Sequence, residues 1–219
     1  WRPLSLITFA LEYEFFGKTP YISHSINIIL YALSNLLLYI VLLKLFSNKD
    51  EKIWHKSFTF WAVLIFASHP LHTEVVANIK GRDEILALLF SLLCFKYSIS
   101  YAETGKIRQI VLGLICFFLA SLSKEAVVTF ILFIPTAIYL FKNKTLKTNI
   151  KIFFLLGLVI LINLLLRFMI IGTGELSEGL KQSILNNPFC NANTAEKIAT
   201  PFYSLLLYLK LFIIPHPLT

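Results

Sequence analysis

Ionisable residues gather in one short stretch, between His69 and Glu84, where seven of sixteen positions carry them. On a helix, His69 and His72 would share a face, and with Glu74 they could bind a metal ion. Pro70 interrupts that helix, so we favour a polar network that lines an outward-facing cavity. Ordinary helix-end caps with solvated charges are the alternative. We therefore predict no metal site, and we predict that His69, His72 and Glu84 line the cavity.

Two cations near this stretch are suited to binding an anion. The Arg82 guanidinium fits phosphate oxygens, and Gly81 beside it allows close backbone approach. A salt bridge from Arg82 to Asp83 or Glu84 is the alternative. Lys124 could supply a second anion contact, with Glu125 beside it in an orienting or basic role; mutual pairing in a tight turn is the other interpretation.

The composition indicates that membrane helices position these residues. The chain has 219 residues, 57% of them hydrophobic, and a mean hydropathy of +0.75, whereas soluble domains are roughly 45–50% apolar. About 20 apolar residues cross the hydrocarbon core. We predict an all-α polytopic transmembrane bundle in one domain, 1–219, with about seven helices. They are 21–46, 58–76, 85–101, 107–122, 126–141, 152–171 and 200–214.

The formal net charge of +8 comes mainly from lysines in the breaks between apolar runs. Such a distribution is a topology signal, and no basic stripe for nucleic acid is visible. Splitting 107–141 into two helices places the lysine-rich loops 44–56, 96–108 and 142–151 on one side, which we predict to be cytoplasmic. The charged cluster and the break at 123–125 then lie on the outer face.

Four blocks in order resemble a known family: Trp1-Arg2-Pro3-Leu4-Ser5, His69-Pro70-Leu71-His72-Thr73-Glu74, Gly81-Arg82-Asp83-Glu84 and Ser123-Lys124-Glu125. They are similar to the transmembrane O-mannosyltransferases that carry tetratricopeptide repeats, which are glycosyltransferases of the GT-C superfamily. The stretch from Asn187-Pro188-Phe189 to Pro215-His216-Pro217-Leu218 adds to the resemblance.

The resemblance implies a GT-C-like fold and transfer of mannose from a polyprenyl-phosphate donor to Ser or Thr hydroxyls of an acceptor protein or peptide. The reaction would occur on the outer or lumenal face of the membrane. We expect the bacterial inner membrane, or the endoplasmic reticulum if the source is eukaryotic.

The implied chemistry assigns roles to the candidate residues. Arg82 and Lys124 would bind the donor phosphate and stabilise its growing negative charge. Glu74, Asp83 and Glu125 would support catalysis, because the family's main base is expected in an outer loop upstream of Trp1. Since that loop and the repeats are outside this sequence, we expect a partial catalytic domain, inactive by itself. No cofactor is predicted with certainty, and a divalent metal is left open.

A transporter or lipid flippase is the alternative function, in which the same charges would line a path. Transporters favour broken helices at the bilayer midplane and repeated halves. Here the charges lie at predicted outer helix ends, and no internal repeat is visible, so the transferase is favoured. A non-enzymatic membrane scaffold is a third interpretation.

Overall fold

The computed structural model describes residues 2–46, 57–142, 144–172, 189 and 192–215, and the secondary structure in these ranges is helical. The chain divides into two compact units, 1–166 and 167–219. The first unit contains the charged residues discussed above. The all-α prediction is confirmed for the described part of the chain.

The first helix was not predicted. Helix α1, Pro3–Phe16, begins with a proline in its first turn, where the missing N–H costs no hydrogen bond. At 14 residues it is roughly 21 Å long, too short to cross a bilayer, so a search for long apolar runs overlooks it. Gly17 ends α1 with a φ of 66°, and α2, Pro20–Phe46, follows.

The predicted single helix 58–76 is wrong, because Pro70 divides it. Helix α3, Phe58–Ser68, ends before His69, whose ψ of 128° is the extended conformation that a following proline favours. A short α4, His72–Ala77, and a 3-10 turn, Ile79–Gly81, follow. They deliver the chain to α5, Arg82–Thr104.

The predicted division of 107–141 is confirmed. Helix α6, Ile107–Ser123, ends where Lys124 becomes extended, with φ −154° and ψ 140°. A 3-10 turn, Glu125–Thr129, leads into α7, Phe130–Lys142, and α8, Leu146–Ile171, follows.

The last described helix lies in the second unit. Helix α9, Thr194–Ile213, starts earlier than the predicted position 200 and contains Pro201. The Asn193 side chain accepts from the Glu196 N–H, and the Glu196 side chain accepts from the Asn193 N–H. This capping box begins α9 in a polar segment that apolar periodicity does not detect.

Four stretches of the described residues are long and apolar enough to cross a membrane: Pro20–Phe46, Ile79–Thr104, Glu125–Lys142 and Leu146–Ile170. Two apolar helices, Phe58–Ser68 and Ile107–Ser123, are shorter. The chain is therefore a multi-pass membrane helix bundle, while the count of seven membrane helices stays a prediction.

The core of the first unit forms around α5, whose largest contacts are with α6 and α2. Gly113 of α6 lies against α5, where a Cβ added to it would be 3.4 Å from Tyr97 Cβ. Buried apolar side chains from five helices complete the core: Val41, Ile99, Phe117, Ile138 and Leu156.

Ion pairs also bring three helix ends together at one end of this unit. Glu103, in the last turn of α5, lies 3.4 Å from Lys44 Nζ of α2 and 3.0 Å from Lys142 Nζ of α7. We call these three residues the opposite-end cluster. The contacts confirm that the ends of α2, α5 and α7 share one end of the bundle, while residues 47–56 of the first lysine-rich loop lie outside the described residues.

Candidate functional site

Arg82, the first residue of α5, is completely buried. Its Nε donates to Asn27 Oδ1 at 3.0 Å, and its Nη2 donates to the Ser23 carbonyl at 3.3 Å. The same Nη2 lies 2.6 Å from Glu12 Oε2. The guanidinium carbon is 4.1 Å from the centroid of the Phe9 ring. Arg82 thus joins the beginning of α5 to both α1 and α2.

The salt-bridge partner of Arg82 is not one of the two residues that the sequence suggested. Those were Asp83 and Glu84, but the carboxylate that contacts the guanidinium belongs to Glu12. Glu12 is itself buried and accepts a hydrogen bond from the Ser23 hydroxyl. A signal for Glu12 was present, because a carboxylate within the apolar run 4–16 is costly unless it is paired.

One guanidinium nitrogen, Nη1 of Arg82, has no hydrogen-bond partner among the described residues. The structure therefore narrows the predicted contact between Arg82 and a donor phosphate to this single buried nitrogen. That contact stays a prediction.

A second set of charges surrounds the ends of three segments at the end of the unit that the sequence predicts to be outer. Arg2, just before α1, donates from Nη1 to Asp83 Oδ2, and its Nε lies 3.8 Å from Glu125 Oε2. Lys124 Nζ lies 2.5 Å from Glu84 Oε1. We call these five residues the outer cluster. Asp83 and Glu84 also lie in the first turn of α5, where the helix dipole favours negative charge.

The cations at this end differ in accessibility. The Arg82 side chain is 0% exposed, whereas Arg2 is 35% and Lys124 23% exposed. A ligand that approaches this end of the bundle can therefore reach Arg2 and Lys124 without unfolding it. Arg2 was seen in the sequence only within the Arg-Pro-Leu block, and no role was predicted for it.

The close backbone approach predicted at Gly81 is made by the chain itself. A Cβ at Gly81 would lie 2.1 Å from the Val75 carbonyl oxygen, a distance that atoms do not adopt. Glycine at this position lets the short α4 fold back onto the beginning of α5.

The two histidines lie elsewhere, on a cavity of about 500 Å³ between α2 and the α3–α4 break. The His72 ring centroid lies 4.4 Å from that of Phe66, with the two rings tilted, and 6.2 Å from that of His69, in an edge-to-face arrangement. Burial and, second, the nearby His69 lower the pKa of His72 below its usual value. His69 and His72 thus line a cavity, but Glu84 does not belong to its lining and lies in the outer cluster instead.

Glu74 occupies the first turn of α4 and is exposed. Within the described ranges, His, Cys, Asp and Glu side chains form no group of three that could hold a metal ion. The predicted supporting carboxylates are therefore divided, since Asp83 and Glu125 meet in the outer cluster and Glu74 stands apart from it.

Comparison with known proteins finds several similar sequences. Protein O-mannosyl-transferase TMTC1 of Homo sapiens is 40% identical over 96 residues, which is 43% of this chain and 10% of that protein. TMTC2 of Mus musculus is 37% identical over 99 residues, 43% of this chain and 11% of that protein. TMTC3 of Homo sapiens is 34% identical over 133 residues, 59% of this chain and 14% of that protein.

No protein-family model and no solved structure matches the chain. The matches to TMTC1, TMTC2 and TMTC3 cover only about a tenth to a seventh of those relatives' lengths. All three relatives are glycosyltransferases by name. The resemblance that the sequence blocks predicted is confirmed: this chain is similar to the protein O-mannosyl-transferases of the TMTC type.

Proposed function

We propose that the outer cluster is part of the donor site of a protein O-mannosyl-transferase. The enzyme would move mannose from a polyprenyl phosphate to Ser or Thr hydroxyls on the extracytoplasmic face. One observation carries the proposal: two accessible cations, Arg2 and Lys124, lie beside three carboxylates at one end of a membrane bundle. The names of the similar proteins support the reaction type.

The chemistry of transfer uses both kinds of charge. The bond between the sugar's anomeric carbon and the phosphate oxygen breaks, and that oxygen keeps the electron pair. Arg2 and Lys124 can stabilise the resulting negative charge because they are fixed near the helix ends before the reaction begins. Lys124 would exchange part of its contact with Glu84 for a contact with phosphate.

The acceptor hydroxyl loses its proton as the new bond to the anomeric carbon forms. This step needs a carboxylate within hydrogen-bond reach of the hydroxyl. Asp83 and Glu125 lie in the right cluster to orient the reactants, and Glu74 would act from outside it. The main base remains predicted in the loop upstream of Trp1.

The membrane setting suits a lipid-linked donor, since its isoprenoid chain would stay in the bilayer while its phosphate reaches the helix ends. The outer cluster lies at these ends and not at the middle of the predicted spans, which supports a transferase over a transporter. The bacterial inner membrane and the endoplasmic reticulum stay the predicted locations.

The test measures sugar transfer by the full-length protein with a polyprenyl-phosphate mannose donor and an acceptor peptide. Losing one fixed donor at a developing anion costs on the order of 100-fold in rate, so we expect about that loss for Lys124→Ala. Lys44→Ala, in the opposite-end cluster, is the matched control and should transfer at nearly the wild-type rate. Equal rates for the two variants would refute the proposed site.

A further inference from the structure

The Arg82 side chain is completely enclosed by the protein. Glu12 and Phe9 of α1 and Ser23 and Asn27 of α2 surround the guanidinium. With 0% of its side chain exposed, Arg82 cannot meet a ligand unless α1 or α2 moves away. These contacts are therefore those of a residue that holds helices together.

Helix α1 packs against α6 and α5 but buries few of its side chains. Its only buried residues are Ser5 and Glu12, while the apolar side chains Leu6, Leu11 and Phe15 are exposed. Leu4 and Phe9 are half-buried, so the apolar contribution to the position of α1 comes from few side chains. The ionic contacts of this segment are Glu12 with Arg82, and Arg2 with Asp83 and Glu125. Two of them, Glu12 with Arg82 and Arg2 with Asp83, reach neighbouring residues of α5.

The two contacts act on one rigid element. Glu12 lies about ten residues after Arg2, so roughly 15 Å of helix separates the buried contact from the exposed one. Their partners, Arg82 for Glu12 and Asp83 for Arg2, are neighbours at the beginning of α5. Fixing Glu12 therefore fixes the direction in which α1 presents Arg2 to the outer cluster.

We infer that Glu12 and Arg82 are positioning residues: they anchor α1 so that Arg2 stands between Asp83 and Glu125. In this inference Arg82 acts through Arg2 and does not touch the sugar donor, which makes it the alternative to the predicted contact between Arg82 Nη1 and the donor phosphate. The inference rests on the proposed function. Its kinetic test depends on sugar transfer, whereas its structural test depends only on the distance between helices.

The kinetic test is a double-mutant cycle in the full-length protein, with kcat and KM for the polyprenyl-phosphate mannose donor measured separately. Glu12→Gln should lower kcat/KM by about tenfold when Arg2 is present, and by less than about twofold in an Arg2→Ala background. An equal loss in both backgrounds would overturn the inference, because Glu12 would then act independently of Arg2.

Glu12→Gln could also prevent folding, since it leaves Arg82 buried without a counter-charge. The second variant is therefore Glu12→Leu/Arg82→Met, which replaces the pair by apolar side chains of similar size. Because the apolar pair can still pack α1 against α5, we expect transfer close to the wild-type rate when Arg2 is present. If this variant folds but its transfer is lost to the same extent with and without Arg2, then Arg82 contacts the donor itself and the inference is wrong.

The structural test does not depend on sugar transfer. Spin labels at Leu6 of α1 and Ile115 of α6, both exposed, report the distance between the two helices once Cys94, Cys116 and Cys190 are replaced by alanine. We expect a narrow distance distribution in the parent protein and in Lys124→Ala, and a broad one in Glu12→Gln. An unchanged distribution in Glu12→Gln would overturn the positioning role, even if transfer itself is never observed.

Discussion

The two ends of the first unit both use ion pairs to join three segments, yet they do so at different depths. At the opposite-end cluster, the side chains of Lys44, Glu103 and Lys142 are 28%, 33% and 10% exposed. At the other end, the partly exposed outer cluster lies over a pair, Arg82 and Glu12, that is 0% and 7% exposed.

Under the proposed function, the difference separates charges that orient the helices in the membrane from charges that build the candidate site. A lysine at the membrane surface keeps its hydration, so its charge costs little free energy there. Such lysines orient the helices by the positive-inside rule. A buried arginine and carboxylate lose their hydration, and their attraction offsets that loss only with good geometry and further hydrogen bonds. Arg82 donates such bonds to Asn27 Oδ1 and to the Ser23 carbonyl, which indicates that the guanidinium is held in a fixed arrangement.

The largest stability effect should come from Arg82→Ala. This change leaves Glu12 buried without its counter-charge, and breaking a buried pair in this way costs about 3–5 kcal/mol of unfolding free energy. The unfolding midpoint of the full-length protein in detergent measures the loss. Adding Glu12→Leu to Arg82→Ala should recover part of it. If Arg82→Ala is no more destabilising than Lys44→Ala, the contrast between the two ends disappears.

A much smaller effect is expected from Glu103→Gln. The pair is partly exposed, so its removal should cost only about 0–1 kcal/mol. Because salt screens exposed charges, the difference from the parent protein should shrink further at high ionic strength. The same detergent unfolding measurement at low and high salt checks this. A large and salt-independent loss would mean that the opposite-end cluster is as essential to the fold as the buried pair.

Much of the helical architecture could be predicted from the sequence, because long apolar runs and lysine-rich breaks are local signals. The break between α6 and α7 followed from a simple length argument, since 107–141 is too long for one bilayer crossing. The convergence of Lys44, Glu103 and Lys142 agrees with the topology that this break requires.

The candidate site was only partly predictable. Four of its residues were expected on one side of the membrane, because the breaks 77–84 and 123–125 are separated by two predicted helices. The structure brings these four together: Asp83, Glu84, Lys124 and Glu125. The pairing of Glu12 with Arg82 joins residues far apart in the chain, so it depends on tertiary packing. Helix α1 was not predicted because its 14 residues are too few to cross a bilayer, and the prediction looked for long apolar runs.

The most direct test locates the donor on the protein. A photoreactive polyprenyl-phosphate mannose analogue, with its reactive group near the phosphate, is crosslinked to the full-length protein in membranes, and the labelled peptides are identified by mass spectrometry. The account predicts labels at the beginnings of α1 and α5 and around Lys124, and weaker labelling in Lys124→Ala. Labels confined to peptides around Lys44, Glu103 and Lys142 would contradict it.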